Sequence, residues 1–126
     1  METVEQIAKG VASLCHEGRF LDAVERYYSP SIVSIESVDF GLGREQRGID
    51  AIRQKHAFWE EHNETHGVTV SGPYLGTAPA ANQFALHFVF DITRKATAVR
   101  APLSEMALYT VRDGKIAHEE FFYASA

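Results

Sequence analysis

Apolar residues recur every three or four positions along the first part of the chain, at Val4, Ile7, Ala8, Val11, Leu14 and Cys15. That spacing gathers them on one face of a helix. Thr3, with Gln6 three positions later, supplies a capping box at its start, and Gly18 supplies a natural stop. Phe20, Val24 and Tyr27 mark a second, shorter helix, with Leu21 and Tyr28 widening its stripe. Ser29-Pro30-Ser31 ends it, because proline cannot extend the hydrogen-bond ladder. The β-branched run Ile32-Val33-Ser34-Ile35-Glu36 predicts a short strand. Between Asp39 and Gly48 three glycines and mixed charge predict a loop. A third helix follows from about Ile49 to His62, its apolar arc holding Ile49, Ile52, His56 and Trp59.

After Asn63 the period changes to two. Val68 and Val70 alternate with Thr69 and Ser71, and Gly72-Pro73 interrupts them. Phe84, Leu86, Phe88, Phe90 and Ile92 then alternate with smaller or polar residues, which predicts a long strand with one strongly apolar face. Two further strand-like runs, from about Val99 to Val111 and from Lys115 to Tyr123, flank Arg112-Asp113-Gly114. Asp-Gly between two such runs is a hairpin signal. The order helix, helix, strand, helix and about four antiparallel strands, with no linker or internal repeat, predicts one α+β domain over residues 1–126.

Composition narrows the partners. Twelve Lys and Arg against 17 Asp and Glu give a formal net charge of −5. Nucleic acid and anionic membranes demand dense positive charge, so neither is expected as a partner. The single cysteine, Cys15, excludes an intrachain disulfide and, lying on the buried stripe of the first helix, reads as an inert core thiol. The opening Met1-Glu2-Thr3-Val4-Glu5 is acidic where a signal peptide is basic, and no apolar run approaches the roughly 20 residues of a membrane span. A cytoplasmic location is the expectation.

A curved sheet covered on one side by helices leaves a concave end, and small-molecule sites favour such concavities. Polar residues at otherwise apolar positions are therefore the candidates. Glu36 ends the first strand beside Ile35 and near Phe40. Among apolar neighbours its carboxyl suits proton transfer, whereas at a solvated strand end it is an ordinary surface charge. His56 occupies the third helix where a hydrophobe is expected, as a core histidine holding one hydrogen bond or as a neutral imidazole that orients a ligand oxygen. Glu105 points inward or outward according to a strand parity that Pro102 leaves open. If inward, two carboxyls line one cavity and titrate together. His66 shares parity with Val68 and Val70 and is equally placed for a loop. Trp59, His66, Phe40 and Tyr28 are the expected ligand contacts, and no metal site is expected: His56 and His62 lie on different helix faces.

A family likeness rests on four segments. They are Gly18 between the first two helices, the run Tyr28-Ser29-Pro30-Ser31-Ile32-Val33-Ser34-Ile35-Glu36, the helix start Gly48-Ile49-Asp50-Ala51-Ile52-Arg53, and the hairpin Tyr109-Thr110-Val111-Arg112-Asp113-Gly114-Lys115-Ile116. In this order, and over nearly the whole chain, they resemble the nuclear transport factor 2-like superfamily, and within it the small bacterial SnoaL-like and ketosteroid isomerase-like proteins. The resemblance implies a cone-shaped curved antiparallel sheet with three N-terminal-half helices packed on its concave side. It implies a catalytic carboxyl at the position of Glu36, a second, protonated carboxyl near Glu105, and a supporting aromatic hydroxyl where His56 stands. The tyrosine of the isomerases' first helix has no counterpart in Lys9-Gly10-Val11-Ala12.

Two functions follow. One is a cofactor-independent isomerase, cyclase or dehydratase that takes a proton next to the carbonyl of a small apolar molecule, with Glu36 as base and His56 or protonated Glu105 bonding the enolate. The other is a non-catalytic ligand-binding or dimerisation module, since one fold hosts many functions. The resemblance also implies a homodimer through the sheet face away from the helices, where His87, Val89, Asp91 and Thr93 fall. Phe121-Phe122-Tyr123 supplies further apolar surface.

Overall fold

Thr3 caps the first helix as its sequence predicts. In the computed structural model, which describes residues 1–124, the Thr3 hydroxyl accepts from the Gln6 amide at 3.1 Å and the Gln6 side chain accepts from the Thr3 amide at 2.8 Å. Helix α1 runs Val4–His16 and buries Ile7, Ala8, Val11 and Cys15. Helix α2 spans Phe20–Tyr27 and α3 spans Ile49–His62. The first two helices meet at Gly10, where a Cβ would lie 1.9 Å from the Tyr27 hydroxyl, so the contact requires glycine.

The strands are β1 Tyr28–Glu36, β2 Glu45–Arg47, β3 Asn63–Leu75, β4 Gln83–Arg94, β5 Val99–Arg112 and β6 Lys115–Tyr123. They form one curved, unclosed sheet in the order β2-β1-β6-β5-β4-β3. All pairs are antiparallel except β1 and β6, which run parallel. The expected sheet was antiparallel throughout. The difference arises because the chain crosses over through α3 before the β3–β6 meander begins, so β6 arrives beside β1 in the same direction. Two smaller differences concern boundaries. β1 starts at Tyr28 rather than Ile32, with Pro30 accommodated where the β1–β6 register shifts between Tyr28 and Val33. The loop expected from Asp39 to Gly48 contains β2, which pairs with the end of β1. The β5–β6 turn has positive φ at both Asp113 (53°) and Gly114 (74°), the geometry that matches the twist of a tight hairpin.

The core lies between sheet and helices. Phe84, Leu86 and Phe88 of β4, Ala107 and Tyr109 of β5 and Ile116 of β6 pack with Ile7, Val11, Val24 and Ile52 from the helices. One irregularity positions the site. Val111 pairs with Ile116 and Thr110 with His118, leaving Ala117 as an extra residue in β6. This bulge resets the strand's parity. Beyond it Glu119 and Phe121 are buried while Phe122 is exposed.

Candidate functional site

Three neighbouring strands send their polar side chains to the same place. Ser34 on β1 is the register partner of Glu119 on β6, which is in turn opposite Tyr109 on β5. One step along, Glu36 stands opposite Phe121, and Tyr123 opposite Glu105. Helix α3 lies over these rows and adds Lys55 and His56. All of them except the fully buried Ser34 line the floor of a cavity of about 690 Å³, large enough for a compact organic molecule. Its walls are mostly apolar: Phe20 of α2, Trp59 of α3, Val68 of β3 and Phe88 and Phe90 of β4 all line it. The Phe20 ring lies 6.4 Å from that of Phe88 and 5.7 Å from that of Phe90.

Glu36 is buried, with 6% of its surface exposed. It is not a lone carboxylate among hydrophobes. Lys55 Nζ lies 2.5 Å from its Oε1, and the Tyr123 hydroxyl donates to its Oε2. Lys55 also donates to Ser34 Oγ at 3.0 Å and sits 4.5 Å from the centre of the Phe121 ring. Glu119, 2% exposed, accepts a hydrogen bond from the Tyr28 hydroxyl.

Burial, and next the negative charge of Glu36, push the Glu105 carboxyl up from 4.5 to about 8, with Lys55 pulling the other way. The residue retains some exposed surface, but its carboxyl end is ringed by Glu36, Glu119 and Tyr123. Desolvation there keeps the proton on at neutral pH. Glu119 is also shifted upward, chiefly by burial, with Lys55 and the Tyr28 hydrogen bond opposing. His56 moves the other way, from 6.5 down to about 4, because burial and then the Lys55 charge disfavour its cation. Its imidazole is therefore neutral, and among the described residues neither ring nitrogen has a hydrogen-bond partner. Burial raises the Cys15 thiol to about 12, as befits an inert core group.

Every sequence-predicted site residue lines this one cavity, at different depths. Glu36, Glu105 and Tyr28 are at the floor and His56 and Trp59 on the α3 wall. Phe40 and His66 are exposed at the rim. The Phe40 ring meets the Tyr123 ring edge-on at 5.4 Å, and His66 Nε2 is 2.7 Å from Thr93 Oγ1. Glu105 faces inward with Ala107 and Tyr109.

Lys55, Glu119, Tyr123 and Tyr109 are the polar floor residues that sequence reasoning missed, and with them Ser34, which holds Lys55 from behind the lining. Lys55 had a signal, since it follows Ile52 by three and precedes Trp59 by four on the same face. Glu119 and Tyr123 had none, because counting by twos from Ile116 points His118, Glu120 and Phe122 inward unless the bulge is known.

The SnoaL-like domain model matches residues 2–123. The chain belongs to the SnoaL-like family. A presumptive SnoaL-like polyketide cyclase from Mesorhizobium loti, whose description adds carbohydrate phosphatase, is similar at 41% identity and a TM-score of 0.89, covering 97% of this chain and 100% of that one. An NTF2-like protein of Burkholderia thailandensis shares the fold at 19% identity and a TM-score of 0.80, covering 98% and 92% of the two chains. A presumptive isomerase of Bacillus subtilis does so at 14% identity and 0.72, covering 96% and 86%. No curated protein matches the chain. Within this SnoaL-like chain no helix of the described residues is long and apolar enough to cross a membrane.

Proposed function

We propose that this SnoaL-like protein binds a small apolar carbonyl compound in the cavity and moves a proton next to the carbonyl, as an isomerase, cyclase or dehydratase. One observation carries the reading. Two carboxyl groups meet at the closed end of an apolar cavity, one an ion-paired carboxylate (Glu36 with Lys55) and the other protonated near neutrality (Glu105). An ion-paired carboxylate beside a protonated carboxyl offers a base and an acid in one site. Glu36 is the base that takes the α-proton. Glu105 and the neutral His56 are hydrogen-bond donors for the ligand's oxygens, and Trp59, Tyr28, Phe40 and His66 shape its path. The side chains present suffice for this chemistry. The descriptions of the Mesorhizobium and Bacillus relatives as cyclase and isomerase support the class. The protein acts as a homodimer paired through the outer face of the sheet.

A second reading has its own observation. Both oxygens of Glu36 are already engaged, by Lys55 and Tyr123, as suits a module that binds a ligand without turning it over.

Deuterium exchange separates the two. Enolisable ketones incubated with the protein in heavy water lose their α-proton NMR signals if a base is at work. Glu36→Gln is expected to slow exchange about 10²–10⁴-fold, the usual worth of a general base. Ketones that bind, by shift perturbation, yet never exchange leave the binding module.

A further inference from the structure

We infer that Lys55 is the electrophile of the site: its ammonium holds the ligand's carbonyl oxygen and takes up the enolate's negative charge as Glu36 accepts the α-proton. The inference rests on the proton-transfer reading of the cavity and adds to it where the charge goes.

The geometry points there. An ammonium has three N–H donors. One meets Glu36 at 2.5 Å and one Ser34 at 3.0 Å. The third has no oxygen partner among the described residues, and Nζ stands over the Phe121 ring on the cavity floor. The ionisable groups facing Lys55 are Glu36 of β1, Glu119 of β6 and Glu105 of β5, with His56 beside it on α3. Lys55 is the cation among these floor groups; Arg94, which also lines the cavity, is an exposed residue at the end of β4. Carbonyl oxygen and α-hydrogen are near neighbours in a ketone. A base and an ammonium in contact therefore engage both at once.

The charges balance. The C–H bond breaks and its proton goes to Glu36. The electron pair forms the C=C bond of the enolate, and the carbonyl π pair moves onto oxygen. Before the step Lys55 neutralises the Glu36 carboxylate. After it Glu36 is neutral and the same ammonium neutralises the enolate. No net charge is created in the low-dielectric end of the cavity, where an unbalanced charge is costly. A neutral donor such as Glu105 leaves the enolate charge uncompensated, and hydrogen bonds from a cation are about twice as strong. When the proton returns to carbon the ion pair re-forms.

2-Naphthol tests this without turnover, since its anion mimics an enolate and its ionisation is read by absorbance. Wild-type protein is expected to bind it and ionise it more readily than water does. Lys55→Met is expected to cut the ionisation constant of bound naphthol about tenfold or more, the equivalent of one pKa unit. Lys55→Gln, a neutral but polar replacement that spares the buried Glu36 an apolar neighbour, gives the same loss if the Met variant does not fold. In the exchange assay both variants are expected to lose about 10²–10³-fold in kcat, with KM changed far less. Naphthol that ionises equally in wild type and variants, or fails to bind wild type, overturns the inference. Exchange lost in Glu36→Gln but kept in Lys55→Gln overturns it too, and leaves Glu36 as base. No exchange in the wild type overturns the proton-transfer reading instead, and naphthol then still decides whether Lys55 holds an oxyanion.

Discussion

Glu105 and His56 are displaced in opposite directions by one cause, burial, so they write opposite slopes into the pH dependence of stability. Glu105 goes from 4.5 to about 8 on folding. Across that window the folded chain holds a proton that the unfolded chain has shed, and stability falls as pH rises. His56 goes from 6.5 to about 4. There the unfolded chain gains a proton that the folded chain refuses, and stability falls as pH drops. The two slopes cancel where the windows overlap, and above 6.5 the Glu105 slope stands alone. Glu105→Gln removes it. Relative to wild type, the variant is expected to gain on the order of a few kcal/mol in urea unfolding between about pH 5 and about pH 9. A difference that does not change with pH would remove Glu105 as a buried proton holder. At this scale the sequence singled out His56, which stands where a hydrophobe is expected, and Glu36 at the end of an apolar strand, whereas Pro102 left the direction of Glu105 open. Lys55 could be placed on the face of Ile52 and Trp59, but its pairing with Glu36 joins α3 to β1 across the fold, and no local pattern reports that.

The elements show why the inner rows form and why half of them escaped a reading by periodicity. β4 alternates without interruption from Phe84 to Ile92, so its inward face was legible residue by residue. β6 does not, because the bulge at Ala117 shifts the alternation halfway along. The parallel β1–β6 pair escaped for a different reason: neither strand carries its neighbour's identity in its own pattern. Side chains tie that pair as well as its backbone. Tyr28 at the start of β1 donates to Glu119 in the middle of β6, both buried. Tyr28→Phe strips a buried carboxyl of a donor and is expected to cost about 1–3 kcal/mol in chemical denaturation. Adding Glu119→Leu removes the orphaned group, so the double variant is expected to lose less than the sum of the two singles. Strict additivity would mean that the bond contributes nothing to holding β1 against β6.

The whole molecule has two sheet faces and only one is covered by helices. On the uncovered face the polar groups of β4 are already satisfied within the chain: His87 Nε2 lies 2.8 Å from Ser104 Oγ, and Arg100 grips Asp91 through two nitrogens at 3.0 and 2.8 Å. The apolar groups are not. Met106 of β5 and Phe122 of β6 are direct register partners, 40% and 46% exposed. They form a pair of large hydrophobes side by side in the middle of a sheet. Adjacent exposed hydrophobes mark interaction surfaces, whereas scattered single residues need no partner. The same parity that turns Glu105 and Tyr123 into the cavity turns Met106 and Phe122 out, so the two faces are set together by the β5–β6 register. This is the surface through which we expect the homodimer to form. Sedimentation at micromolar concentration is expected to give a species of twice the 14.0 kDa chain. Phe122→Glu places like charges against each other across a two-fold interface and is expected to yield the monomer. Because the substituted side chain points away from the cavity, naphthol binding by the variant is expected to persist. A wild type that sediments as one chain, or a Phe122→Glu variant that still sediments as two, would place the dimer contact elsewhere or remove it.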